Sequence, residues 1–229
     1  MSELREKAIA KIAREIAREI RSGMTLGLGS GSTVASILHE LASFLRIERI
    51  KVGSVPTSLQ IQGVAEREGL SISAYRGTVD LVIDGADQVD NDLNLIKGGG
   101  GALLKEKILM SSASKSIIVA DKEKFSPRLG MRGVRVPVEV TPFAKEAVKK
   151  RLAQLGGDPL VRMLPKGYPY FTENGNIILD TAFSPIDDPS KLEAAIDSVP
   201  GVVESGIFTI KPLTVYKILA DGKSIRLTA

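Results

Sequence analysis

Residues 24–45 read MTLGLGSGSTVASILHELASFL: an apolar run of strand length, a glycine-rich turn, then apolar residues spaced as on one face of a helix. Strand, tight turn and helix in direct succession open a parallel α/β sheet. The pattern recurs. IKVGSV, SISAY, DLVIDGA and KSIIVAD are further short apolar runs, with helical patterns over 33–45, 57–68 and 101–112 between most of them. This alternation predicts a mainly parallel, Rossmann-like sheet with helices on both faces and right-handed crossovers. Upstream, SELREKAIAKIAREIAREIRSG sets Ile9, Ile12, Ile16 and Ile20 at helical spacing, an amphipathic helix that ends at Gly23.

Around Pro127 to Gly133 the order of elements changes. Strand VRVPVEV, helix PFAKEAVKKRLAQLG, strands LVRML and NIILDTAF, helix PSKLEAAIDSV and strand VVESGIF follow in turn, the order of a ferredoxin-like split β-α-β unit. Asn174-Gly175 marks a hairpin turn ahead of IILD. A last hairpin, TVYKILA and KSIRLT around Asp221-Gly222, is expected to return to the first sheet. The predicted domains are therefore 1–131 with 208–229, Rossmann-like, and 132–207, a smaller α+β domain.

Composition narrows the chemistry. The 229 residues are 43% hydrophobic, enough for a substantial core. No charged segment leads into an apolar one at the amino terminus, and no apolar run approaches the roughly 20 residues that span a bilayer. The expectation is a soluble, unsecreted, cytoplasmic protein with no membrane partner. With no cysteine, thiolate nucleophiles, disulfides and cysteine metal sites are excluded; the one histidine, His39, lies in a helical pattern and reads as a partly exposed helix residue. Acid–base chemistry must use carboxylates and lysines. The net charge of +4 is spread along the chain, which suits an anionic small molecule at least as well as nucleic acid. Four tyrosines, six phenylalanines and no tryptophan leave little for base stacking, so no nucleic-acid partner is expected.

Three stretches fall where strands of such a sheet end and ligands bind. In GLGSGST (27–33), glycines expose backbone N–H groups, Ser32 and Thr33 add hydroxyls, and the following helix adds its positive end. Gly27, Gly29 and Gly31 do not fit G-x-G-x-x-G, and the G-K-[ST] ending of a P-loop is missing, so a single phosphate monoester is the better reading, with a plain tight turn as the bland one. In LVIDGADQVD, Asp84 ends a strand, Gly85 turns, and Asp87 follows; these carboxylates either aim into the crevice or cap the turn. Asp90 and Asp92 are read as solvated. In IKGGGGALLKEK, Lys97 precedes four glycines, the helix is expected to begin near Gly101, and Glu106 lies about one and a half turns inside it, taken alone a surface residue of a charged helix face.

Together GSGST, DGAD, KGGGGALLKEK, GGDPLVRM, NGNIILD and SVPGVVESGIF resemble the A-type ribose-5-phosphate isomerases nearly end to end and in the family's order. The resemblance implies that Ser30, Gly31, Ser32 and Thr33 form the substrate loop, that Asp84, Gly85, Ala86 and Asp87 form the acidic turn, and that Lys97, Gly98, Gly99 and Gly100 form the lysine-glycine loop. It puts the proton acceptor at Glu106 and a further substrate lysine at Lys124. Ser30 stands where some members have threonine, Gln88 where others have glutamate, and Gly101 where alanine is common.

The implied reaction interconverts ribose 5-phosphate and ribulose 5-phosphate through an enediol, in the non-oxidative pentose phosphate pathway, with no metal and no cofactor. Lys97 and glycine-loop amides would stabilise the enediolate, and Asp84 and Asp87 would open the sugar ring. The substrate's oxygens would be what approaches the bare glycines. The resemblance also implies a homodimer or homotetramer. A non-catalytic sugar-phosphate sensor is the alternative, but 229 residues leave no spare DNA-binding segment.

Overall fold

The structure, a computed structural model, describes residues 3–229. In chain order the elements are α1 (Glu3–Ala17), β1 (Thr25–Leu28), α2 (Ser32–Ile47), β2 (Gly53–Pro56), α3 (Leu59–Arg67), β3 (Ser71–Ile72), β4 (Val79–Asp84), β5 (Gln88–Val89), β6 (Leu95–Ile96) and α4 (Leu103–Ser112). There follow β7 (Ala113–Asp121), β8 (Val136–Val140), α5 (Lys145–Gln154), β9 (Asp158–Val161), β10 (Ile177–Ala182), α6 (Pro189–Asp197), β11 (Val202–Ser205), β12 (Ile207–Phe208), β13 (Leu213–Ile218) and β14 (Ser224–Thr228). No helix among the described residues is long and apolar enough to cross a membrane.

Packing divides the chain into two compact units. The first holds the chain up to Gly85, Lys105–Glu123 and Ile210–Ala229; the second holds Ala86–Leu104 and Lys124–Thr209.

The first unit is built on a seven-stranded sheet in the order β14-β13-β7-β4-β1-β2-β3. Every neighbouring pair is parallel except β13 with β14, the expected closing hairpin. Side chains alternate across the strands. Leu26, Leu28, Leu81 and Ile83 point to the face covered by α1, α2 and α3, where Ile9, Ile12, Ile16 and Ile37 are also buried. Gly27 and Val82 belong to the other face, where a Cβ at Gly27 would lie 3.2 Å from Leu109 of α4. Helices therefore cover both faces, as the sequence predicts.

The second unit contains a four-stranded sheet, β11-β8-β10-β9, antiparallel throughout, with α5 and α6 as its connections. Numbered within the unit, this order is 4-1-3-2, that of a ferredoxin-like fold. Two expectations change here. VVESGIF does not run as one strand: it breaks at Gly206, and Ile207–Phe208 pair with β6 in a separate sheet, β12-β6-β5. At the break the Gly206 carbonyl accepts from the Lys97 amide (2.9 Å) and the Gly206 amide donates to the Pro137 carbonyl (2.7 Å), and only glycine fits there, because a Cβ would lie 2.4 Å from the Lys97 carbonyl oxygen and 2.8 Å from Pro137. That small sheet also groups 86–104 with the second unit, whereas the expected boundaries assign 86–104 and 124–131 to the larger domain.

Asp90, expected in solvent, is 5% exposed. Its Oδ1 accepts from the amides of Asp92 (3.0 Å) and Asn94 (2.7 Å), and its Oδ2 from Asn94 Nδ2 (2.9 Å), so it organises the β5–β6 turn. Asp92 is exposed, as expected.

His39, on the exposed side of α2, meets Glu68 at 3.1 Å. The hydrogen bond and charge of Glu68 raise the imidazole's pKa above its ordinary value of 6.5. A raised folded-state pKa stabilises the fold fully below the unfolded pKa and loses that contribution as pH rises through the folded value. The side chain is 68% exposed, so the effect is expected to stay below about 1 kcal/mol. With a single histidine in the chain, its ring resonances in NMR are assigned without ambiguity. Its titration midpoint is expected above 6.5 and to fall in Glu68→Gln, while the stability difference between wild type and Glu68→Gln shrinks from pH 5 to pH 8; a midpoint at or below 6.5 contradicts the pairing.

Candidate functional site

In the first unit, β1 lies between β4 and β2 with Leu28 level with Ile83, which carries Gly29 into register with Asp84. The amide of Gly29 donates to the Ile83 carbonyl at 2.9 Å. Asp84 is completely buried, and its carboxyl carbon would sit 1.9 Å from any Cβ at Gly29. Glycine at 29 is therefore required by the carboxylate beside it. The Asp84 Oδ1 also accepts from the amide of Gly85 at 2.7 Å, which fixes the side chain over the turn.

Gly31 then takes φ 102°, a conformation that favours glycine, and caps α2 with no side-chain hydrogen bond to its first turn. The amino end of α2 is thus left to solvent or a ligand, with Ser32 exposed and Thr33 half-buried. Ser30 Oγ bonds Thr57 Oγ1 (2.9 Å) and Ser58 Oγ (2.6 Å), and the Gly31 amide donates to Gln60 Oε1 at 3.2 Å, so the loop is braced from β2 and α3. From α1, Arg5 Nη2 donates to Thr33 Oγ1 at 3.1 Å, and Arg5 forks onto Asp121 at 2.8 and 2.9 Å. An accepting hydroxyl keeps its own hydrogen for a second partner, so Thr33 is oriented as a donor.

Glu106 is 5% exposed, not a surface residue. Helix α4 starts at Leu103, two residues later than the sequence implies, and this puts Glu106 in its first turn. Its Oε1 receives the Ser30 amide at 3.4 Å. The helix end favours a negative charge at that position. Ser30, Asp84 and Glu106 are thus gathered at the carboxyl edge of one sheet.

In the second unit, Asp87 is held by the amide of Gly99, which donates to its Oδ2 at 2.8 Å, and by its own amide, which donates to the Ile96 carbonyl at 2.8 Å. Lys97 is 3% exposed, its Nζ 5.6 Å from the centre of the Phe208 ring. Of the following glycines, Gly98 has φ 106° and packs against Leu103 and Pro137, Gly99 has Asp87 in front of it, and Gly101 has φ 80° with a Cβ position 2.2 Å from the Tyr170 hydroxyl. Only at Gly100 is the space open. Bare backbone at 98, 99 and 101 therefore serves the chain's own packing, whereas no neighbour within the chain calls for glycine at 100. Arg162 donates to the carbonyls of Gly98 (2.8 Å) and Gly99 (3.0 Å), and Tyr170 to that of Gly100 (3.2 Å). Lys124 is exposed, in a short turn after β7.

Arg5, Arg162 and Tyr170 were not among the residues singled out in the sequence. Arg162 carried a signal, a lone charge inside the apolar run LVRML. Arg5 lies among the other charges of α1 and carried none. Among the described residues no group of three or more His, Cys, Asp and Glu side chains is arranged to hold a metal ion.

A family model described as ribose 5-phosphate isomerase A (phosphoriboisomerase A) matches residues 53–222. The chain is 46% identical over 206 residues to ribose-5-phosphate isomerase A of Methanosarcina acetivorans, covering 89% of this chain and 86% of that one. It is 43% identical over 217 residues to that of Thermosynechococcus vestitus, covering 93% and 92%. Among solved structures, ribose 5-phosphate isomerase A of Methanocaldococcus jannaschii is similar with a TM-score of 0.90 at 36% identity, over 98% of this chain and 99% of that one. A D-ribose-5-phosphate isomerase solved with phospho-erythronic acid is similar with a TM-score of 0.91 at 35% identity, over the whole of both chains.

Two glycine substitutions separate internal packing from open space. Gly29→Ala forces its methyl into a buried carboxylate and is expected to cost at least about 1–3 kcal/mol, lowering the denaturation midpoint by several degrees. Gly100→Ala, with nothing within 4 Å and no positive φ, is expected to leave the midpoint unchanged within about a degree. Thermal unfolding of the two variants checks both, and equal effects contradict the steric argument.

Proposed function

The chain belongs to the ribose 5-phosphate isomerase A family, and we propose that it interconverts D-ribose 5-phosphate and D-ribulose 5-phosphate by proton transfer through an enediol, with no metal. The observation that carries the assignment of roles is the buried carboxylate of Glu106 in the first turn of α4, with the amide of Ser30 donating to it. Glu106 takes the proton from C2 of the open-chain aldose; the C–H electron pair becomes the C1–C2 double bond, and the C1 carbonyl oxygen gains the charge. A proton then passes from O2 to O1, and Glu106 returns its proton to C1 as the C2 carbonyl forms. One carboxylate thus serves as base and then acid on one face of the enediol.

Proton transfer by a positioned group contributes about 10²–10⁴-fold, so the enediolate needs further stabilisation. In this reading the Lys97 ammonium and the amide of Gly100 supply it; among the described residues no acceptor meets that amide. Ring opening needs a proton removed from the anomeric hydroxyl and one given to the ring oxygen, and Asp84 and Asp87, three residues apart, are assigned to that work in either order. At the uncapped end of α2, Ser30, Gly31, Ser32 and Thr33 form the phosphate loop: the amides and hydroxyls of Ser32 and Thr33 meet the phosphate, Ser30 and Gly31, whose amides are held by Glu106 and Gln60, shape the turn, and Lys124 adds charge. The reading includes a homodimer or homotetramer acting in the cytoplasm in the non-oxidative pentose phosphate pathway. Exposed apolar side chains at Leu160, Met163, Leu164, Tyr168 and Phe171 support self-association.

Glu106→Gln is expected to bind ribose 5-phosphate nearly as wild type and to lose about 10²–10⁴-fold in kcat. In heavy water the wild type is expected to put solvent deuterium at the carbon that receives the proton, a label that a hydride shift would not leave. Near-normal turnover by Glu106→Gln overturns the assignment.

Phosphate contacts act alike in ground and transition states, so Thr33→Ala and Lys124→Ala are expected chiefly to raise KM, and free ribose to be a very poor substrate. Equal use of ribose and ribose 5-phosphate contradicts the phosphate loop.

A further inference from the structure

The glycine loop is gripped from one side by residues that lie far from it in sequence. The five N–H donors of Arg162 are nearly all committed: Nε and Nη2 fork onto Asp180, and Nη1 bonds the carbonyl oxygens of both Gly98 and Gly99. The guanidinium is 5.7 Å from the centre of the Tyr170 ring, and the Tyr170 hydroxyl bonds the next carbonyl, that of Gly100. Three successive carbonyls of a side-chain-free segment are therefore held by one stacked pair. The Arg162 side chain is 15% exposed and that of Asp180 24%, so solvent screens this ion pair less than one on the surface.

A peptide plane is rigid, and fixing a carbonyl fixes the N–H of the next residue on the opposite side. Holding the oxygens of Gly98, Gly99 and Gly100 thus sets the amides of Gly99, Gly100 and Gly101. Two of these are used within the unit: Gly99 donates to Asp87, and Gly101 closes a turn onto the Gly98 carbonyl at 3.0 Å. The amide of Gly100 is the one presented outward. We propose that Arg162, oriented by Asp180 and backed by Tyr170, is a positioning residue of the isomerase reaction: it holds the Lys97–Gly101 loop so that the amide of Gly100 and the Asp87 carboxylate are in place before substrate arrives.

This also accounts for the fourth glycine, Gly101, which takes φ 80°. The hydroxyl of Tyr170 occupies the place a Cβ at position 101 would take, so glycine at 101 and tyrosine at 170 form a matched pair. Lysine at 162 could not replace the arginine, because a single ammonium cannot hold both a carboxylate in a fork and two carbonyls beside it.

The inference rests on the proposed isomerase reading, and its test is built to fail separately from it. In Arg162→Ala, kcat for ribose 5-phosphate is expected to fall about 10- to 100-fold, as for a displacement of about 1 Å in a positioned group, with KM changed much less. Millimolar guanidinium ion is expected to restore part of that loss, and Arg162→Lys not to restore it. Tyr170→Phe removes one hydrogen bond and is expected to lower kcat about 2- to 10-fold. A folded Arg162→Ala with kcat within twofold of wild type overturns the proposal, as does a loss that guanidinium leaves untouched. If Arg162→Ala does not fold, Tyr170→Phe decides: unchanged kcat counts against the clamp. If the wild type itself does not turn over ribose 5-phosphate, the reaction is misassigned, and hydrogen exchange still tests the clamp. The amides of Gly99 and Gly101 are then expected to exchange faster in Tyr170→Phe than in wild type, and equal rates overturn it.

Discussion

Two aspartates occupy the space in front of two glycines, and the arrangement of the proposed site follows from that. Asp84 stands where Gly29 has no side chain, and Asp87 stands where Gly99 has none. In the first case the parallel register of β1 and β4 makes the approach unavoidable: once Leu28 pairs with Ile83, the next residues are level, and the carboxylate has nowhere else to lie. Any side chain at 29 would have to displace a fully buried carboxyl group, a change that cores tolerate poorly. The same contact joins the first two motifs, because Gly29 leads into the GSGST loop and Asp84 into the acidic turn. In the second unit, the amide of Gly99 both fills a hydrogen bond to Asp87 and leaves room for it.

Glycine carries an entropic cost, and four in a row at 98–101 add roughly 2–4 kcal/mol of ordering that alanines would not. Hydrogen bonds from a charged group contribute about 1.5–3 kcal/mol each. The two bonds from Arg162 to the loop are of the size needed to offset that cost, which makes a flexible sequence into a fixed loop. A run of four glycines and a fixed loop are compatible here because the restraint comes from outside the segment.

The parallel sheet, its helices, the ferredoxin-like order and the closing hairpin were legible in the sequence, because each rests on periodicity or a local turn. What was not legible depends on partners distant along the chain. Asp90 looked like a solvated residue in a polar run; its burial depends on Asn94 turning back, and on Leu93 taking φ 60°. VVESGIF looked continuous because the groups that meet Gly206 at its break, the backbone of Lys97 and Pro137, lie elsewhere along the chain. Glu106 looked like an exposed residue in a charged helix until the helix start moved to Leu103. For the motif residues, the sequence named where the chemistry should lie but not what holds it. Arg5 and Tyr170 are single side chains whose meaning exists only once the sheet has brought them to their loops.

The proposed phosphate loop shows how that support shapes the chemistry. Arg5 is the nearest cation to Thr33 among the contacts described, yet its charge is answered by the bidentate Asp121. It therefore adds little net field to the loop and acts by orientation, accepting no role that a lone lysine could fill. Thr33, with its lone pair taken, has its hydroxyl hydrogen left for an incoming oxygen, and the first-turn amides of α2, capped by no side chain, point the same way. Such a cradle of oriented neutral donors favours an anion rich in oxygens over a bare negative charge. In the proposed reading that preference suits a phosphate monoester, with three acceptor oxygens, better than a carboxylate with two, and it comes from geometry fixed before any ligand is present.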